Sequence, residues 1–125
     1  MSAGRVLVIE DDARIATMLR LGLALKGFEA TVAEDGLAGR SAWLADGFDI
    51  VLLDVMLPGI DGISLCAERR AVGDRTPVII LTARDDETTR LRGMAAGATD
   101  YLTKPFSYAD LMRRIELLLA AGEAS

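Results

Sequence analysis

Nearly all the side chains of this chain that could do chemistry fall in four short stretches: Glu10-Asp11-Asp12, Asp54, Thr82 and Lys104-Pro105. The first three directly follow, or close, a run of branched apolar residues, and the fourth follows the short stretch Asp100–Thr103. No histidine occurs in the 125 residues, which removes the commonest general base and metal ligand and with it Ser-His and Cys-His catalysis. What remains is carboxylates, hydroxyls and two lysines. Taken singly, Asp12 reads as a helix N-cap and Thr82 as a structural hydroxyl. Taken together they matter more, provided the fold gathers them. Two carboxylates about 4 Å apart repel by roughly 4 kcal/mol at an effective dielectric near 20. Three in a cluster therefore need a cation or a proton. An oxygen-only set at neutral pH suits a hard divalent ion, Mg2+ first and Mn2+ as its substitute.

The elements that must position these residues are legible as alternation. Short branched runs predict strands over Arg5–Ile9, Ala30–Ala33, Ile50–Leu53 and Val78–Leu81, with a fifth over Asp100–Thr103. Helical patterns lie between them. The first, Ala13 to Lys26, has Ile15, Leu19, Gly22 and Leu23 on one face and Gly27 as its stop. The second covers Leu37–Ala45. The third starts near Asp61 and carries Leu65 inward, with Arg69 interrupting its apolar stripe. The fourth, Asp86–Ala96, contains Gly93 and few large apolar residues, so it is the least rigid. The last follows Ser107, a capping residue, with Leu111, Ile115, Leu118 and Leu119 at helical spacing. Five βα units predict an α/β fold, a doubly wound five-stranded parallel sheet of order 2-1-3-4-5 of the flavodoxin-like kind. A ligand site in such a sheet lies beyond the carboxyl ends of the strands, at the β1/β3 switch point. All four stretches fall on that rim.

Composition fits a single domain spanning 1–125. The chain is 51% hydrophobic and 26% charged, as globular domains are. Its one cysteine allows no internal disulfide and suits a reducing, cytoplasmic compartment. No apolar run reaches membrane-spanning length, so no membrane partner is expected. The formal charge of −5 argues against this segment gripping a nucleic-acid backbone by itself. Pro58-Gly59 shapes a turn, while Cys66 and Trp43 read as packing residues. The tail AAGEAS reads as an end, natural or cut.

The order IEDD, LLDVMLPGIDG (52–62), VIILTAR (78–84) and GATDYLTKPFS (97–107) resembles the receiver domain of two-component response regulators. It is most similar to the branch that carries a C-terminal winged-helix DNA-binding domain, and the likeness covers essentially the whole chain. The resemblance implies a phosphoacceptor at Asp54, with Glu10 and Asp11 as the acidic pair that holds magnesium, Asp11 directly and Glu10 through water. The backbone carbonyl of Met56 is the implied third protein ligand, beside Asp54 itself. Thr82 matches the hydroxyl that turns toward the phosphoryl group, Lys104 the ammonium that pairs with it, and Tyr101 the aromatic switch. Met56 and Arg84 match positions that set phosphoryl lifetime. A cis peptide at Lys104-Pro105 is implied too.

The implied donor is a sensor histidine kinase, and the implied output is a missing C-terminal domain that binds DNA and regulates transcription. The resemblance also implies a phosphorylation-dependent homodimer through the fourth helix, fifth strand and fifth helix. There Arg90 would meet Asp110 and Asp100 would meet Arg114 across the axis, around Leu91, Met94 and Met112. Ala95 and Thr99 depart from that branch, which tends to place acids there. Two other classes fit less well. A magnesium-dependent phosphohydrolase usually carries a second acid two residues after its nucleophile, where this chain has Met56. A flavin-binding module needs a hydroxyl- and amide-rich phosphate loop after the first strand, where this chain has three acids.

Overall fold

The computed structural model describes residues 3–83 and 86–124. Its elements run β1 (Gly4–Ile9), α1 (Ala13–Leu25), β2 (Phe28–Ala33), α2 (Gly36–Ala45) and β3 (Ile50–Asp54). They continue α3 (Gly62–Ala71), β4 (Val78–Thr82), α4 (Glu87–Ala95), β5 (Asp100–Thr103) and α5 (Tyr108–Ala124). All strand pairs are parallel and the order is β2-β1-β3-β4-β5, as the alternation predicts.

Every residue of β3 and β4 is buried, because helices cover both faces of the sheet. The two-residue period of the strands divides their apolar run between two cores. Leu7, Ile9, Val51, Leu53, Val78 and Ile80 pack with Trp43, Leu65 and Cys66 under α2 and α3. Val6, Val8, Ile50, Leu52, Ile79 and Leu81 pack with Leu19, Leu23, Leu111 and Ile115 under α1 and α5.

The ends of several elements differ from the sequence expectation, and the differences are informative. β2 begins at Phe28 rather than Ala30, since Gly4 already pairs with Phe28 at the sheet edge. Glu29 is exposed between buried Phe28 and half-buried Ala30, an alternation that an apolar run does not reveal. β3 ends on Asp54 and β4 on Thr82, so both side chains stand on residues still paired in the sheet, Asp54 opposite Leu81 and Thr82 opposite Thr103. In α1 the buried line is Ala16, Leu19 and Leu23, with Ile15 on its half-buried flank. Asp12 does cap α1, accepting from the backbone N–H groups of Arg14 and Ile15 at 2.9 and 3.3 Å. Ser107 caps α5 through the N–H of Asp110 at 3.2 Å. Arg69 stays inward by pairing with Asp74 at 3.0 Å and lying over the Trp43 ring. The Lys104–Pro105 bond is cis.

The loop after Asp54 is held against the start of α3 by a glycine. The Gly62 N–H donates to the Val55 carbonyl at 2.9 Å. A Cβ on Gly62 would lie 2.0 Å from the Asp54 carbonyl oxygen, a clash with backbone that no rotamer relieves. Gly62→Ala should therefore destabilise the fold by at least about 1–3 kcal/mol. Urea denaturation measures it; a midpoint unchanged from the parent would show that the loop yields freely.

Candidate functional site

Four segments meet at the carboxyl rim of the sheet. Glu10 follows β1 and is 2% exposed; Asp54 closes β3 and is 6% exposed. Asp11, beside Glu10, faces solvent. Glu10, Asp11 and Asp54 each bring a carboxylate oxygen within 4.8 Å of the others. Between two of them sits a single cation. Lys104 Nζ, on a side chain only 14% exposed, donates to Asp54 Oδ2 at 3.1 Å and to Glu10 Oε1. The Asp12 N–H donates to Glu10 Oε2 at 3.1 Å and the Met56 N–H to Asp54 Oδ1 at 3.2 Å. The buried acids thus share one ammonium and two backbone donors, while Asp11 is exposed.

Titration behaviour follows from that balance. Burial raises Glu10 to about 7, against the pull of the Lys104 and Asp12 hydrogen bonds, and the neighbouring Asp54 charge adds to the rise. Burial alone would lower Lys104, but its bonds to Glu10 and Asp54 hold it above the ordinary lysine value. The donor set, three carboxylates with one exposed, is oxygen-only and fits a hard divalent cation. A cleft of about 340 Å³ opens beside it, running from Glu10 and Asp11 to Arg20 and Glu34.

Other residues singled out from sequence stand close by. Thr82 is fully buried, and its carbonyl accepts from the Lys104 N–H at 2.7 Å, tying the two rim segments together. Tyr101 is half-buried on β5 beside the core under α3. Met56 is 57% exposed next to Asp54. Arg84 lies outside the described residues. On the face of α4, β5 and α5, Leu91 and Met94 are exposed, while Met112 is buried. The charges of that face are paired within the chain, which sequence reasoning missed. Arg114 reaches Asp100 at 2.7 Å and Asp110 at 3.1 Å, Arg113 also holds Asp110, and Arg90 holds Glu87. The spacings of 87 with 90 and of 110 with 113 and 114 were the available signal.

The family described as response regulator receiver domain matches residues 6–116. The transcriptional regulatory protein YkoG of Bacillus subtilis is 41% identical over 119 residues, which cover 95% of this chain and 52% of YkoG. The chain spans about half the length of the curated relatives it matches. The structure of the Francisella response regulator 1452 receiver domain superposes with a TM-score of 0.91 at 37% identity, covering 95% of this chain and 98% of that one. The response regulator TrrA of Thermotoga maritima, solved in complex with Mg2+ and BeF, gives a TM-score of 0.83 at 30% identity, covering 94% and 99%.

The raised Glu10 sets a pH dependence. A carboxyl whose folded pKa is raised contributes stability that is full below its ordinary value and is lost as pH rises through the folded one. For Glu10 that window runs from 4.5 to about 7. A divalent cation among the acids should offset the loss. The rise in Tm on adding Mg2+ should therefore be larger near about pH 8 than near about pH 5. Thermal scans with Mg2+ and with chelator measure this, and an equal effect at both pH values would count against cation binding by these acids.

Proposed function

This chain belongs to the response regulator receiver domain family, and on that premise we propose that Asp54 accepts a phosphoryl group from a sensor histidine kinase. One observation carries the reading: the Lys104 ammonium bridges Asp54 and Glu10, with Asp11 alongside, at the end of the central strand. Receiver domains are generally phosphoacceptor switches rather than enzymes with turnover, and Met56, where a hydrolase would carry its second acid, agrees with that class. Glu10, Asp11, Asp54 and the Met56 carbonyl would hold Mg2+, which supplies the charge neutralisation that lets a carboxylate approach a phosphoryl group. The TrrA complex with Mg2+ supports that choice of metal.

The protein's own groups have distinct parts in this scheme. An Asp54 carboxylate oxygen attacks phosphorus as the bond from phosphorus to the kinase's donor nitrogen breaks, and the electron pair leaves with that nitrogen. Because the transition state is loose, positioning and charge do most of the work. Lys104 holds Asp54 in place beforehand and pairs with a phosphoryl oxygen afterwards. The Thr82 hydroxyl donates to a second phosphoryl oxygen once it is present, and Tyr101 fills the space that Thr82 vacates. The added charge then biases α4 and the face it shares with β5 and α5.

On this reading the domain works in the cytoplasm, and no helix among the described residues is long and apolar enough to cross a membrane. The output is a C-terminal DNA-binding domain that controls transcription, as the name of YkoG supports. The phosphorylated form pairs as a symmetric dimer through α4, β5 and α5 around Leu91 and Met94. Since Arg114, Asp100, Asp110 and Arg90 are already paired within the chain, the dimer exchanges ion pairs across the axis rather than adding them.

Incubation with acetyl phosphate and Mg2+ should add one phosphoryl mass, and Asp54→Asn should abolish the addition. Full labelling of that variant would remove Asp54 from the role. Sedimentation with Mg2+ and beryllofluoride should show a dimer that Arg114→Asp weakens by roughly two- to fivefold and that adding Asp100→Arg partly restores. A species that stays monomeric at high concentration would exclude this interface.

A further inference from the structure

The loop that carries Met56 is gripped from two sides. On the α3 side, the Gly62 N–H donates to the Val55 carbonyl at 2.9 Å. On the other stands the first turn of α2, a helix that supplies none of the three rim carboxylates. The first N–H groups of a helix have no acceptor within it. In α2 the Gly36 N–H donates to the Pro58 carbonyl at 3.0 Å, and the Ala38 N–H donates to Asp35 Oδ1 at 2.7 Å. Asp35 therefore caps the turn that holds Pro58. The approach leaves no room for a side chain at Gly36, since a Cβ there would lie 1.9 Å from the Ile60 carbonyl oxygen. Leu37 closes the loop from outside, against Gly59 with its φ of 86°.

The same helix rests on the other half of the site. A Cβ on Gly39 would lie 2.6 Å from Ile9 Cδ1, so the α2 backbone lies directly against the residue before Glu10. The Glu10 N–H donates to the Ala33 carbonyl at 3.0 Å, a short step along the chain from Asp35. One short helix thus touches the strand end that bears Glu10 and the loop that bears Met56. In that loop the Met56 N–H reaches Asp54 Oδ1 at 3.2 Å.

We propose that Asp35 is a positioning residue for the rim: by capping α2 it fixes the Gly36–Pro58 bond, and through that bond the loop that carries Met56. The effect on a cation rests on the reading that the Met56 carbonyl is a ligand; the hold on the loop does not. Asp35 acts through geometry rather than charge, because its carboxylate is engaged by a backbone donor. Asn caps a helix about as well as Asp does, and Ala does not. Asp35→Asn and Asp35→Ala lose the same charge, so the difference between them isolates the cap.

Amide exchange followed by NMR on the whole chain without metal tests the hold. Relative to Asp35→Asn, Asp35→Ala should raise exchange about fivefold at Gly36 and about threefold at Gly62, on the far side of the loop. Ile115→Val trims the separate core under α1 and α5 and should leave both amides within about 1.5-fold of the parent. Calorimetric titration with Mg2+ is the second readout. At a temperature where both variants are folded, the Kd should be about threefold higher in Asp35→Ala than in Asp35→Asn. Gly62 exchange that is equal in the two Asp35 variants overturns the proposal, as does a rise equally large in Ile115→Val. A loosened loop with equal Mg2+ affinity in the two variants also overturns it, since the cap would then be structural alone. If the parent binds no Mg2+, the cation reading fails, and the Gly62 amide still decides whether Asp35 holds the loop.

Discussion

The structure turns on an excess of negative charge held in place by one ammonium. Glu10 and Asp54 are both buried, and Lys104 touches both. In a medium of low polarizability, two carboxylates at this separation repel by several times what they would in water, about 4 kcal/mol against about 1. One lysine can satisfy them only partly, and burial, with the Asp54 charge adding to it, pushes Glu10 up to about 7. The site is thereby poised to take up positive charge, and whatever arrives there meets ligands already oriented by backbone donors at Asp12 and Met56. A better neutralised site would be more stable alone and less responsive.

Holding such a cluster requires a frame that does not relax, and the parallel sheet provides it. Asp54 and Thr82 are the last paired residues of the two central strands, whose apolar neighbours are locked from both faces. Moving either side chain outward would break strand pairing or open a cavity in a core, each a cost of some kcal/mol. The loop after Asp54 is equally confined, by the close approach of Gly62 to the Asp54 carbonyl. Rigidity on this side contrasts with α4, whose buried face is a threonine and a glycine.

Much of this was legible in the sequence, for physical reasons that also explain what was not. Strands buried on both faces read as unbroken branched runs, so β3, β4 and their order were plain, and the rim acids followed from where those runs end. The edge strand β2 was cut short because Phe28 and Glu29 alternate in exposure, which hides a strand from a search for apolar runs. That these side chains gather on the rim was legible, but not the direct bond of Lys104 to Glu10; the sequence places both on the rim without telling which acid the ammonium reaches. Arg69 looked like a flaw in α3 because its partner, Asp74, lies beyond the helix, where helical periodicity does not search. The bonds of Arg70 were invisible for the same reason, since its acceptors are the carbonyls of Gly97 and Asp74.

The charged face of α4, β5 and α5 shows how local satisfaction limits what a switch can gain. Arg114 already holds Asp100 and Asp110, and Arg90 already holds Glu87. Exposed pairs of this kind contribute little in either arrangement, because water competes for both partners. Exchanging them across a two-fold axis therefore changes direction and register far more than free energy. What can differ between states is the apolar surface at Leu91 and Met94, which are exposed on a helix whose buried residues are a threonine and a glycine. A rotation of α4 that brings these two side chains together with their copies would add hydrophobic burial to a nearly neutral exchange of charges. Such an interface would form with the movement of the helix and dissolve with its return, since neither arrangement of charges offers strong pairs the other lacks.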